Sequence, residues 1–454
     1  MCVVDRLWSL SRRLADAARR DRRQGCTRQG GRAALVALGL GTLLCLTPDT
    51  AAAGPTAPRQ NGARDGVWFW TLPNTPNGMH PNQSWSGAGS SPNGTIYVAG
   101  MDHIANSALY RLPAGSRTVP GATLYYAGDA RAASTAIGNW KAGDIAEKFH
   151  TRPTFHANRV YVANLNHSPL DDGYLRKSGM RWYGFDVAAG TLRDLSKGEP
   201  GGYALQRGGV VGITVDAPRG KIFGLVNPTG ELVRFDIATS RTTRLGRPAY
   251  QRTYVYPGRA LWTGASGRVY FSAGNIKPTY GGPYNPAIFD HIHYWDPVTG
   301  FGQLTTWKLN EIRAIDAVQC FAGSPKVCFL SDNAGNIYKF TDGATPTWRY
   351  LGRITAGYPG FNWVFHVNAA KTRAYLLPGN GRLYEFDLTL NRTARSIDLA
   401  AIEPSLAAHH YYGHDAWDAY GRFYFVTMPV TSTPASLVRL VAIDPTRLFA
   451  AAAR

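Results

Sequence analysis

The sequence predicts an all-β fold, a seven-bladed β-propeller built from four-stranded antiparallel blades, and three observations predict it. Tyrosine-rich strand pairs recur along the chain at a spacing of about 50 residues, the period of a propeller blade. The 454 residues include 50 Gly and 28 Pro, which break helices and suit a chain with many tight turns. Aromatic residues reach 12% and charged residues only 17%, which excludes a disordered chain and favours strands.

The first element in chain order is a leader. Arginines dominate up to Arg32, an apolar run spans Ala33 to Leu46, and small residues follow at Ala51-Ala52-Ala53. That order is the pattern of a cleaved secretory signal over residues 1–53. The apolar run is shorter than the ~20 residues that span a bilayer. The expected location is therefore periplasmic or secreted, without membrane insertion. Cleavage removes nine Arg and four Asp, so the formal charge falls from +19 to +14 over a single domain at 54–454. It also removes Cys2, Cys26 and Cys45. Cys320 and Cys328 remain, with seven residues between them in a strand–turn–strand setting. An exported protein allows a disulfide there; the alternative is two buried thiols.

Seven strand pairs follow. Gly94-Thr-Ile-Tyr-Val98 pairs with Leu109-Tyr-Arg-Leu112, and Arg159-Val-Tyr-Val162 with Trp182-Tyr-Gly-Phe-Asp186. Gly220-Lys-Ile-Phe-Gly224 pairs with Leu232-Val-Arg-Phe-Asp236, and Gly267-Arg-Val-Tyr-Phe271 with His293-Tyr-Trp-Asp296. Lys326-Val-Cys-Phe329 pairs with Asn336-Ile-Tyr-Lys-Phe340, and Thr372-Arg-Ala-Tyr-Leu376 with Leu383-Tyr-Glu-Phe-Asp387. The last unit joins Gly421-Arg-Phe-Tyr-Phe425 to the strand ending at Asp444. An Asp closes the second member of the pair at Asp186, Asp236, Asp296, Asp387 and Asp444, and Thr341 takes its place in the fifth unit. Asp there starts the next turn by accepting from the backbone two residues on, so its role is structural. Val67-Trp-Phe-Trp70, ahead of the first unit, is expected to supply the outer strand of the last blade and close the ring.

The Gly267-Arg-Val-Tyr270 strand and the Trp295-Asp-Pro-Val-Thr-Gly300 turn resemble those of exported bacterial seven-bladed propellers, over nearly the whole mature chain. This resemblance implies a fold and leaves the function open. A shorter one lies in the second unit. Phe149-His150-Thr-Arg-Pro153 followed by the strand from Arg159 to His167 is similar to propeller-fold polysaccharide lyases acting on uronate-containing glycans. That likeness implies a His, a Tyr and an Arg gathered at the centre of one face.

The innermost strand of each blade precedes the Gly-Arg-Val-Tyr strand, and these segments hold the candidate residues. Seven of the eleven histidines lie in or beside the second, sixth and seventh of them. Catalytic candidates are His150 as base, Arg259 to neutralise the sugar carboxylate, and Tyr256 or His414 as acid. Arg152, His167, Tyr254, Arg313, His366 and Tyr411 are candidate substrate contacts. Asp415 is placed to orient His414. The favoured reaction is β-elimination on an acidic polysaccharide, which the positive charge would steer. The alternative is a non-catalytic propeller that binds a glycan or a protein in the cell envelope.

A divalent ion held by His150, His167, His409, His410 and His414 is a less favoured possibility, because ligand spacing on strands is not diagnostic. No nucleophile elbow, phosphate loop or dinucleotide fingerprint occurs. Lys and Arg are spread rather than clustered, which argues against nucleic acid. A monomer is expected.

Overall fold

The computed structural model describes residues 63–451, apart from 103, 105, 167–178, 228, 249–257, 273–290, 305–314, 333, 356–363 and 408. The leader, His167, Tyr254, Tyr256 and Arg313 lie outside the described residues.

Twenty-nine strands dominate the described residues. Two short ones come first, β1 (Ala63–Arg64) and β2 (Val67–Thr71). Blade 1 is β3–β6 (Ala88–Ser90, Ile96–Met101, Ser107–Leu112, Tyr125–Asp129). Blade 2 is β7–β10 (Thr154–His156, Arg159–Ala163, Trp182–Asp186, Thr191–Asp194). Blade 3 is β11–β14 (Gly209–Asp216, Lys221–Asn227, Leu232–Asp236, Arg241–Gly246). Blade 4 is β15–β18 (Leu261–Thr263, Val269–Ser272, Ile292–Asp296, Gly300–Leu304). Blade 5 is β19–β22 (Ile315–Phe321, Val327–Asp332, Asn336–Thr341, Thr347–Arg353). Blade 6 is β23–β26 (Val364–Val367, Arg373–Leu376, Arg382–Asp387, Arg392–Asp398). Blade 7 takes β27–β29 (His409–His414, Phe423–Pro429, Arg439–Ile443) and completes itself with β2.

Five blades are separate four-stranded antiparallel sheets. Blades 6 and 7 form one nine-stranded sheet with β1, because inner strands β23 and β27 pair in parallel at Val364↔Gly413 and Phe365↔His414. β2 lies antiparallel on β29, from Val67↔Ile443 to Thr71↔Arg439. The N-terminal strand thus fills the last blade, and the edge that β29 would expose is covered.

The core is divided among the seven spaces between neighbouring blades. Strand alternation explains this: successive side chains of a second strand point to opposite faces, and in a ring both faces are buried. On β4, Ile96 and Val98 pack towards blade 7, whereas Tyr97 and Ala99 pack towards blade 2. On β28, Tyr424, Val426 and Met428 face blade 1, and Phe423 and Phe425 face blade 6. Trp68 and Trp70 of β2 are sealed between blades 7 and 1.

The repeated Asp residues act in turns. Oδ1 of Asp186, Asp236, Asp296 and Asp387 each accepts from the backbone N–H groups two and three residues later. Those backbone donors hold the carboxyls of Asp186, Asp296 and Asp387 below the usual range, and at Asp236 the Lys221 ammonium does so first, with the backbone donors adding to it. In blade 5 the neighbouring Asp342 instead reaches blade 4, accepting from Ala265 N–H and the Tyr270 hydroxyl.

Cys320 and Cys328 face each other across β19 and β20 and are joined by a disulfide. Three α-helices among the described residues, Ala130–Ala136, Leu399–Ile402 and Pro445–Ala451, fall outside the strand repeat. The first is an alanine-rich stretch that follows Asp129, whose side chain accepts from Ala132 N–H at its N-terminus. No helix among the described residues is long and apolar enough to cross a membrane.

Candidate functional site

One pocket draws its walls from the innermost segments of six blades, which places it on the axis of the ring. Trp85 and Ser86 precede β3, His150 and Arg152 precede β7, and Val211 to Ile213 belong to β11. Arg259 precedes β15, Asp316 is the second residue of β19, and Tyr412 to His414 end β27.

Glycines allow these segments to converge. A Cβ on Gly212 would lie 2.0 Å from the carbonyl oxygen of Arg259, so only glycine lets that backbone lie against β11. Gly87, at φ +74°, has room for a Cβ only 3.0 Å from Gly413 Cα. The inner strands of blades 7 and 1 therefore meet through their backbones beside the pocket.

His150 is 3% exposed, and its Nδ1 lies 3.0 Å from the carbonyl oxygen of Val211. A carbonyl only accepts, so Nδ1 carries a proton in this bond, which leaves Nε2 as the ring nitrogen able to act as a base. Arg152 donates from Nη1 to the His414 carbonyl at 3.0 Å and pairs with Asp415 Oδ2 at 3.2 Å. Asp415 holds a left-handed backbone at φ 57°, which turns the chain out of β27 as the ion pair forms. It orients Arg152 rather than His414.

Arg259 lies over two rings, 5.5 Å from the Tyr412 centroid and 5.9 Å from that of Trp85. The two rings are 5.2 Å apart, and His410 flanks both. The result is an aromatic wall with a guanidinium on it, where cation–π attraction holds the charge in place.

Burial sets the charge states. It holds His414 well below the usual imidazole range, helped by the Arg152 charge, and it also lowers His410. Both rings are neutral at neutral pH. Asp316 is 5% exposed, and burial pushes its carboxyl up to about 8 against the opposing pull of Arg259. At neutral pH the pocket therefore presents arginine cations, the neutral His414 imidazole and an un-ionised acid.

The pocket brings together His150, Arg152, Arg259 and His414 from the residues that sequence reasoning selected. It does not include His366 or Tyr411. His366 is fully buried, stacked on Phe423 at 4.8 Å and edge-on to Trp417. The Tyr411 hydroxyl donates to the Leu406 carbonyl at 2.6 Å inside the core between blades 6 and 7. Strand alternation separates Tyr411 from Tyr412: consecutive residues of β27 point to opposite faces. Trp85, Tyr412 and Asp316 were not weighted as site residues. Tyr412 and Asp316 sit on or beside inner segments already identified, so position along the repeat was the available signal. Trp85 had none beyond preceding the first inner strand. Among the described residues no group of three or more His, Cys, Asp or Glu side chains is disposed to hold a metal ion.

No family model and no curated protein sequence matches the chain. Solved structures do resemble it. The periplasmic gluconolactonase PpgL of Pseudomonas aeruginosa is 14% identical, with a TM-score of 0.45, over 75% of this chain and 95% of that one. The β-propeller domain of Cps50 (Swd1) from Myceliophteria thermophila is 9% identical, with a TM-score of 0.51, over 80% of this chain and 98% of that one. At such identity the likeness concerns the fold alone.

Proposed function

We propose that the protein is an exported, carbohydrate-active propeller that binds an acidic, uronate-containing polysaccharide on the ring axis and cleaves it by β-elimination. One observation carries this reading: separate blades deliver Arg259, His150, His414 and an aromatic wall to a single pocket. Sugars stack on aromatic faces, and a guanidinium pairs a carboxylate through two parallel hydrogen bonds.

Pairing of the uronate carboxylate with Arg259 makes the C5 proton more acidic. Nε2 of His150 takes that proton. The electron pair forms the C4–C5 double bond, and the C4–O bond breaks. The leaving oxygen takes a proton from an acid. His414, neutral and with its pKa held far down, is a hydrogen-bond donor and not an acid of useful strength. Tyr256, three residues before Arg259, keeps the acid role assigned to it.

The burial of His150 at 3% exposure favours a second reading, a propeller that holds the glycan without cutting it. Incubation with a panel of uronate polymers separates the two, since the unsaturated product absorbs in the ultraviolet. Absorbance that disappears in His150→Ala and in Arg259→Ala supports elimination. Binding without absorbance supports the second reading, and neither binding nor absorbance refutes both. Export by the leader is tested by sequencing the secreted protein, which should begin near Gly54.

A further inference from the structure

We propose that Asp316 and Arg259 form a carboxylate-binding pair: the un-ionised carboxyl of Asp316 donates a hydrogen bond to a ligand carboxylate that Arg259 holds, so the pocket accepts anions only while Asp316 keeps its proton. This rests on the reading of the pocket as a uronate site and deepens it.

The geometry comes first. Asp316 lines the pocket beside Arg259 yet is 5% exposed, and its Oδ2 has no hydrogen-bond partner. A buried carboxylate in that state carries a heavy desolvation cost, whereas a protonated carboxyl is tolerated and has an O–H to donate. The nearby carboxylate of Asp332, opposite Ile315 on β20, is occupied differently. It accepts from the N–H groups of Ala334 and Asn336, the Asn336 amide and the Tyr338 hydroxyl. Its charge adds to the burial that raises Asp316, and Arg259 opposes both.

The other titratable and charged groups around the pocket are His150 and Arg152 from blade 2 and His410, Tyr412, His414 and Asp415 from blade 7. Arg152 is engaged by Asp415 and the His414 carbonyl. With Asp316 neutral, an incoming carboxylate meets a guanidinium and an O–H donor. With Asp316 ionised it meets a second carboxylate instead of a donor, and like charges repel.

The test uses galacturonate and glucuronate, which contain no glycosidic bond to cleave, with galactose and glucose as uncharged controls. Titrations followed by NMR at pH 7 and pH 9.5 read the affinity. The sugar acids stay ionised throughout. The protonated fraction of Asp316 falls from about nine-tenths to about one-thirtieth over this range, so affinity should fall about thirty-fold. Asp316→Asn, whose amide still donates and cannot ionise, should hold its affinity at pH 9.5, and Arg259→Ala should bind neither acid.

A pH-independent affinity in the unaltered protein, or an equal fall in Asp316→Asn, overturns the role of Asp316 and leaves the uronate reading standing. If neither acid binds at pH 7 or at pH 9.5, both readings are overturned. If Asp316→Asn does not fold, the profile of the unaltered protein decides alone.

Discussion

Replacing His366 with Phe isolates the energetic cost of a buried imidazole. His366 is fully enclosed, and its rings of contact are Phe423 and Trp417. Burial, with the charge of Arg152, lowers its pKa to about 3, against about 6.5 in the unfolded chain. A depressed pKa means that the folded state resists protonation. Its stabilising contribution is complete above pH 6.5 and is lost as the pH falls towards 3. Linkage makes the loss about 2.5 kcal/mol between pH 7 and pH 4.5. Phe adds volume to a packed site, which costs about 1–3 kcal/mol at any pH. That offset cancels when the two pH values are compared. Urea unfolding of both proteins at pH 7 and pH 4.5 measures the difference. The gap between variant and parent should move by about 2.5 kcal/mol in favour of the variant at the lower pH. An unchanged gap would show that His366 is protonated in the folded state and that the burial reasoning fails.

Three further outcomes follow from the packing. Trp70→Ala removes a fully buried side chain from the strand that closes the ring and should cost about 3–5 kcal/mol in urea unfolding; a cost under 1 kcal/mol would contradict the role given to β2. Reduction of the Cys320–Cys328 disulfide releases a short closed loop and should lower stability by about 2.5 kcal/mol, read as a shift in the unfolding midpoint with and without reductant. Asp296→Ala strips acceptors from Val298 N–H, Thr299 N–H and Arg268, and should cost about 1–3 kcal/mol; Asp296→Asn, which keeps an acceptor oxygen, should recover part of it.

Much of the fold was legible because it is periodic. Each unit repeats a strand pair and a turn, and an Asp at the end of the third strand does the same hydrogen-bonding work in four blades. Closure by Val67 to Trp70 was legible because this strand-like run lies ahead of the first unit, and it does pair with the last blade. The helix Ala130–Ala136 was missed because it interrupts the period, although Asp129 and the alanines after it carry its signal. In the candidate site, position along the repeat identified His150, Arg152, Arg259 and His414, which do share a pocket. It also selected His366 and Tyr411, which do not. Knowing that a residue lies on an inner strand does not say which way its side chain points, and a register shift of one residue reverses the answer.

The sequence by itself determined the class of fold, the number of strand pairs, the turn chemistry and which segments lie innermost, because these follow from short-range periodicity. The tertiary structure decided which side chains share the axis and in what charge state. Trp85 and Tyr412 are 327 positions apart, yet ring closure places their rings 5.2 Å from each other with Arg259 over both. Asp316 reads in the sequence as one more acidic residue at the start of a strand. Only its enclosure by neighbouring blades raises its carboxyl to about 8, because desolvation is a property of the surroundings that the whole ring supplies.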